Sequence, residues 1–174
     1  MQLRTIKITD YLEINSLIKE AFENSEYGYN GEAEIVTQLR FTNYYVPELE
    51  IIAVENNKII GHGLLSEVEV INKNKTLCIG LALAPLSVAP AYQGRKIGET
   101  LLLTLETKAK ELNYKFITIL GSASYYSRYG YTPASQYDIE APFDVPDESF
   151  MIKILSENAL DGISGVIQYS EAFN

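Results

Sequence analysis

One cysteine and one histidine are all that this chain holds of either residue, and each scarcity narrows its chemistry. Cys78 has no partner for an internal disulfide, which points to a reducing compartment. It also has no histidine near it in sequence, so a covalent acyl-cysteine route is not expected. No apolar run approaches the roughly 20 residues that a membrane span requires, and no basic-then-apolar leader opens the chain. Positive charge is in the minority: Lys and Arg total 14 against 23 Asp and Glu, a net charge of −9. That balance argues against nucleic acid as a partner, because duplex binding rests on neutralising phosphates. It keeps a protein soluble and also draws cations. Low-complexity segments, internal repeats and Pro/Gly/Ser linkers are missing as well. The 174 residues, 47% of them apolar, therefore read as one soluble, cytoplasmic domain over 1–174. A chain of that length buries roughly 70% of its unfolded surface without help from metal or disulfide.

What is present alternates between strand and helix patterns. Leu3–Ile8 alternates like a strand, and Thr9 or Asp10 then caps a helix to about Phe22 with Leu12, Leu17, Ile18 and Ala21 as its apolar face. A polar, tyrosine-bearing loop, Glu23–Gly31, leads into a second helix from Glu32 to about Phe41 with Ile35, Val36 and Leu39 on one side. Glu50–Glu55 and Lys58–Ile71 form a hairpin across Asn56-Asn57. Leu77–Val88 is almost wholly apolar, as for a strand buried on both faces. A helix from Gly98 to about Leu112 follows, with Glu106 and Lys110 spaced as an i,i+4 pair, and Lys115–Leu120 is the next buried strand. Strand, helix and strand in that register imply a parallel pair joined by a right-handed crossover. Further strands near Gln136–Glu140, Phe150–Leu155 and Gly165–Tyr169 complete a mixed sheet with helices packed on it, an α/β (or α+β) fold.

The densest signal is Ser87–Gly98, SVAPAYQGRKIG, where a strand gives way to a glycine-bearing loop that opens directly into a helix. A tight loop before a helix start leaves backbone N–H groups without partners and aims them at one spot, which suits a phosphate. Two familiar phosphate loops do not fit. Gly94 and Gly98 are too close for a Walker loop, and Gly98 is followed by Glu99 rather than lysine. The G-x-G-x-x-G spacing of a dinucleotide site is absent too.

Gln93-Gly94-Arg95-Lys96-Ile97-Gly98 resembles the Q/R-x-x-G-x-G/A signature of the GNAT superfamily of N-acetyltransferases. Tyr125-Tyr126-Ser127-Arg128-Tyr129-Gly130-Tyr131 resembles the aromatic segment that follows the next strand in that family. Leu83–Val88, Ile119–Gly121 and the closing Gly165–Tyr169 with Ala172-Phe173 are similar to a bacterial subgroup, the YhbS-like acetyltransferases, so the likeness spans about residues 3 to 173. One position departs from the signature: Lys96 stands where the family has its middle glycine. If that position needs a positive φ, lysine bears a strain of roughly 1 kcal/mol. Its ammonium, beside Arg95, would offset this by meeting phosphate charge.

The resemblance implies a mostly antiparallel central sheet with a splayed parallel strand pair and flanking helices. It also implies acetyl-CoA as co-substrate, no metal, a small-molecule or peptide amine as acceptor, and room for a homodimer. The pantetheine arm would insert at the splay, where Pro85 lacks the N–H needed to continue a ladder. Main-chain groups of Leu86, Ser87 and Val88 would meet the acetyl and pantetheine. Gln93, Gly94, Arg95, Lys96, Ile97 and Gly98 would cradle the pyrophosphate. Tyr126, four residues before Gly130, matches the family's proton donor to the departing thiolate, with Tyr125 next in line and Tyr129 directed to the core. No carboxylate lies between Leu77 and Val88, which leaves Glu67, Glu69, His62 or a water relay as the base. The acceptor pocket should involve the Glu23–Gly31 loop, the second helix and the tail, and Glu26, Tyr27, Tyr29 and Glu34 there are of the right type to receive an amine cation. The implied function is amine acetylation by direct attack in a ternary complex. The alternative is a non-catalytic acyl-CoA sensor of the same fold.

Overall fold

In a computed structural model that describes residues 1–174, nine strands form a single mixed sheet. The helices and strands are β1 (Gln2–Thr5), α1 (Tyr11–Glu23), α2 (Glu32–Leu39), β2 (Glu50–Glu55), β3 (Lys58–Asn72), β4 (Lys75–Val88), α3 (Ile97–Glu111), β5 (Phe116–Leu120), α4 (Ala123–Tyr126), β6 (Thr132–Pro133), β7 (Ile139–Glu140), β8 (Phe150–Ile154) and β9 (Gly165–Gln168). Strand order is β1-β2-β3-β4-β5-β8-β6, and β9 pairs with both β3 and β7. The length of β3 explains the branch: residues 58–64 pair with β2, whereas Glu69–Ile71 pair with β9. Asn56 and Asn57, both at positive φ, turn β2 into β3 as the hairpin reading requires. All pairings are antiparallel except β4–β5 and the two-residue β7–β9 contact, so the expected mixed sheet is present.

Alternation along the strands sends side chains to two opposite faces. On one face Ile51, Ala53, Leu65, Leu81 and Ile117 meet Leu101, Leu102, Leu105 and Ala109 of α3. On the other, Ile52, Leu64 and Ala84 meet Ile14, Leu17, Ile18, Val36 and Leu39 of α1 and α2. A third cluster, with Val68, Phe116, Phe150, Ile152 and Ile167, closes the end where the late strands gather.

Several expectations are corrected. In α1, Ile14 takes the buried position expected of Leu12, which is 83% exposed. Asp10 caps the short turn before α1 instead of α1 itself, accepting from the Lys7 N–H at 2.7 Å. β4 is not buried on both faces throughout: Leu77 and Ile79 are exposed, because β5 pairs only with Leu81 and Ala82 and neither residue joins the cluster packed on α3. Glu106 does not pair along its helix. It is buried, accepts from the Tyr131 hydroxyl at 3.0 Å and binds Lys153 Nζ at 2.7 Å. Tyr131, not Tyr129, is the core tyrosine of its segment.

Candidate active site

β4 and β5 run side by side only at Leu81–Ile117 and Ala82–Thr118. Past that point β4 continues to Val88 with no strand on its β5 side. A bulge accompanies the parting: Gly63 pairs with Leu86 but Leu65 with Leu83, so β4 carries an extra residue at Ala84-Pro85. Proline sits where it need not donate to a ladder. The interrupted pairing expected at Pro85 is therefore present.

A cavity of about 410 Å³ opens at the divergence. The strands line it with Leu83, Ala84, Pro85, Leu86, Thr118 and Leu120, and Tyr126 lines it from α4. Phe22, Glu32 and Ile35 come from α1 and α2, while Phe143, Tyr169 and Phe173 come from the C-terminal quarter of the chain. The Tyr126 ring packs edge-on against Tyr125 and Tyr131, at 4.9 and 5.9 Å between centroids. Burial pushes its phenol well above the ordinary tyrosine range, and no protein group bonds the hydroxyl. It is held as a neutral O–H.

The turn after β4 builds a second, adjoining cleft of about 330 Å³. Gly94 has φ 78° and Lys96 φ 61°, so the chain passes twice through the left-handed region before α3 begins. The positive φ suspected for Lys96 is real. The main-chain N–H groups of Gly94, Arg95, Lys96, Ile97, Gly98 and Glu99 have no backbone acceptor; the first helical bond here is Thr100 N–H to Lys96 C=O. Successive unpaired N–H groups at a helix start form an anion-binding concavity. Val88, Tyr92, Gln93, Tyr125, Arg128 and Tyr129 complete the lining.

The two adjacent tyrosines thus serve different cavities, Tyr126 the strand divergence and Tyr125 the loop cleft. Burial raises the Tyr125 phenol to about 12. Arg128 stacks over the Tyr125 and Tyr129 rings, with its guanidinium 4.8 and 5.7 Å from their centroids. It is a cleft-lining cation that the sequence pattern did not single out. Arg95 departs from expectation: its guanidinium turns away to Glu55 at 2.9 Å, so only its main chain belongs to the turn. Gln93 donates to Val88 C=O at 3.2 Å and braces the strand end.

The candidate bases do not reach the cavity. Glu67 is bonded by Tyr114, and Glu69 by Tyr44 and Thr76, and neither lines it. His62 is wholly buried, with Nε2 2.8 Å from Glu50 Oε1, in a network with Arg40 and Tyr45. The Ser87 side chain lies under the same face as His62, buried and unbonded, so Ser87 meets the splay through its main chain alone. Of the expected amine receptors, Tyr27 is exposed and Glu34 is engaged by Lys19 and Tyr29. None of Glu26, Tyr27, Tyr29 and Glu34 lines the cavity; Glu32 does. The second helix and the tail do contribute to the cavity as expected, through Glu32, Ile35, Tyr169 and Phe173, but these particular side chains and Phe143 were not singled out because nothing local in the sequence ties them to the strand divergence. No group of three or more His, Cys, Asp or Glu side chains converges in a metal-holding arrangement.

A sheet parted at a proline bulge, followed at once by an anion-cradling turn and a long helix, defines the GNAT class of fold. The chain belongs to that family: residues 2–134 match the model of the acetyltransferase (GNAT) domain. It is 26% identical to an uncharacterized N-acetyltransferase of Escherichia coli K12, YhbS, over 162 residues, covering 92% of this chain and 91% of the relative. A second E. coli protein, the uncharacterized N-acetyltransferase YjhQ, is 30% identical over 145 residues, covering 83% and 78%. The crystal structure of E. coli YhbS in complex with CoA superposes with a TM-score of 0.88 at 26% identity, covering 99% of this chain and 91% of that one. A Brucella melitensis GNAT acetyltransferase in complex with acetyl-CoA gives 0.80 at 25% identity, covering 99% and 97%.

Proposed function

We propose that this protein transfers the acetyl group of acetyl-CoA to a primary amine by direct attack within a ternary complex. The observation that carries the proposal is the continuity of two features. The unpartnered N–H groups from Gly94 to Glu99 adjoin a strand edge, Leu83–Val88, that lacks a neighbour on its β5 side. A diphosphate suits the first and an amide-bearing pantetheine arm suits the second, and the relatives' complexes with CoA and acetyl-CoA support that pairing. Lys96 and Arg128 supply positive charge beside the turn, in a protein whose overall charge is negative.

The chemistry follows from what faces the 410 Å³ cavity. The amine nitrogen attacks the thioester carbonyl carbon, forming a C–N bond and a tetrahedral oxyanion. Main-chain donors at the free β4 edge stabilise that oxyanion in surroundings poor in water. Collapse breaks the C–S bond, and the thiolate takes the proton of the Tyr126 hydroxyl, which recovers one from solvent. The acceptor arrives as an ammonium and gives up two protons by way of water, one of which makes good the proton that Tyr126 gave to the thiolate, so the turnover releases an amide, free CoA and one proton.

Calorimetric titration with acetyl-CoA, followed by a thiol-release assay over a panel of amines, tests the reading. Micromolar binding with amine-dependent thiol release is expected. Binding without transfer to any amine would replace the enzyme with an acyl-CoA sensor, and no binding would remove both.

A further inference from the structure

Building on the transferase reading, we propose that the acceptor is a primary amine carried on an aromatic or branched apolar body, and that Glu32 binds its ammonium. Ten of the 13 residues lining the cavity at the strand divergence are hydrophobic, and Glu32 alone among them carries a formal charge. Glu32 is the first residue of α2, directly after Gly31 at φ 88°. Its Oε2 accepts the Asn30 N–H at 2.8 Å, which fixes the carboxylate at the helix start. The α2 dipole favours the anion there. None of the protein's ion pairs includes Glu32, whereas nearby Glu34 is held by Lys19 at 3.2 Å. A positioned carboxylate without a cation, set in an apolar wall, is matched by a cation brought in from outside.

The rest of the wall describes what carries that cation. The Phe143 and Tyr169 rings lie nearly parallel, 19° apart with centroids at 6.0 Å, and Tyr169 meets Phe173 at 5.2 Å. Phe22 and Ile35 contribute from α1 and α2. Flat apolar surfaces of this kind reward a ring or a branched hydrocarbon and, through the ring faces, an adjacent ammonium. They reject a polyhydroxylated amine, whose hydroxyls would be stripped of water and left unpaired. They reject a polyamine too, because a second ammonium finds no second carboxylate. A volume of about 410 Å³, shared with the acetyl end of the donor, holds a body of roughly one ring.

The test uses the full chain with acetyl-CoA and measures thiol release with phenethylamine, spermidine and kanamycin as acceptors. We expect kcat/KM for phenethylamine to exceed the other two by about tenfold or more. Glu32→Gln is expected to lower kcat/KM for phenethylamine about tenfold or more, chiefly through a raised phenethylamine KM, while the acetyl-CoA KM stays unchanged, and Glu32→Asp to recover part of the loss. A purely structural role for Glu32 would move both KM values together. Preference for spermidine or kanamycin overturns the proposal, as does an unchanged phenethylamine KM in Glu32→Gln. Faster turnover of hexanoyl-CoA than of acetyl-CoA also overturns it, because the cavity would then hold the acyl chain. Acetyl-CoA that binds in calorimetry but never reaches phenethylamine removes the acceptor assignment and leaves the transferase reading standing; absence of binding removes both.

Discussion

His62 Nε2 lies 2.8 Å from Glu50 Oε1, and neither side chain has any exposed surface. Arg40 adds two more bonds to Glu50, at 2.6 and 3.1 Å, and Tyr45 a fourth at 2.7 Å. Burial by itself would raise the Glu50 carboxyl, but the bonds from His62 and Arg40 outweigh it and hold the group down at about 2, against an ordinary 4.5. The folded state therefore binds this proton more weakly than the unfolded chain. Its stabilising contribution is complete above pH 4.5 and is lost as pH falls through that value toward 2. Glu50→Gln should lower the unfolding free energy by roughly 3 kcal/mol at pH 7, since it leaves Arg40 buried without its counter-charge. It should also flatten the loss of stability below pH 4.5. Urea titrations of both proteins at pH 7 and pH 3.5 measure the two effects.

Tyr126→Phe removes the proposed proton donor without emptying the ring's place against Tyr125 and Tyr131. We expect kcat to fall about 100-fold with little change in the acetyl-CoA KM. Because burial raises the Tyr126 phenol, the wild-type rate should show no loss attributable to its ionisation up to about pH 10. Steady-state kinetics from pH 6 to 10 provide the check. An unchanged kcat would remove Tyr126 from the mechanism.

Gly98→Ala should leave both folding and ligand binding nearly unchanged. A Cβ at this position meets the Tyr125 hydroxyl at 3.4 Å and Val88 Cγ2 at 3.7 Å, ordinary contacts that the fold accommodates. Gly98 lines the cleft at the position where the family signature admits alanine, so a methyl there leaves the N–H groups of the turn free. The melting temperature should change by no more than about 3 °C, and acetyl-CoA affinity by no more than about threefold. Thermal unfolding and calorimetry on one preparation decide it.

Gly80→Ala, by contrast, is expected to disturb the fold. A Cβ on Gly80 would stand 2.2 Å from Phe116 Cζ, inside the ring packed on β4. Phe116 is fully buried and cannot swing aside, so the variant should lose about 3 kcal/mol of stability. The shift in urea midpoint reads this directly.

The turn at Gln93–Gly98 was legible because its requirements are local. Glycine spacing, the preceding apolar strand and the following helical pattern lie within one stretch, and backbone geometry follows from them. Lys96 illustrates both sides of this. Its departure from the family's glycine was visible in the sequence, and the left-handed φ it adopts is what the turn demands of whatever residue stands there. The direction of Arg95 was not visible, since Glu55 lies 40 positions earlier and only sheet register brings the two together. The same holds for the base candidates. Glu67 and Glu69 alternate as expected, but the sheet turns them away from the cavity toward Tyr114 and Tyr44.

By itself, the sequence determined the order of strands and helices, the interruption at Pro85 and the phosphate-type turn. Each of these depends on the torsional preferences and hydrogen-bonding capacity of neighbouring residues. Only the tertiary structure decided that Glu32, Phe143, Tyr169 and Phe173 share a wall with Tyr126. That meeting depends on which faces the apolar cores bury, and burial is settled by packing across the whole sheet, not by any one segment.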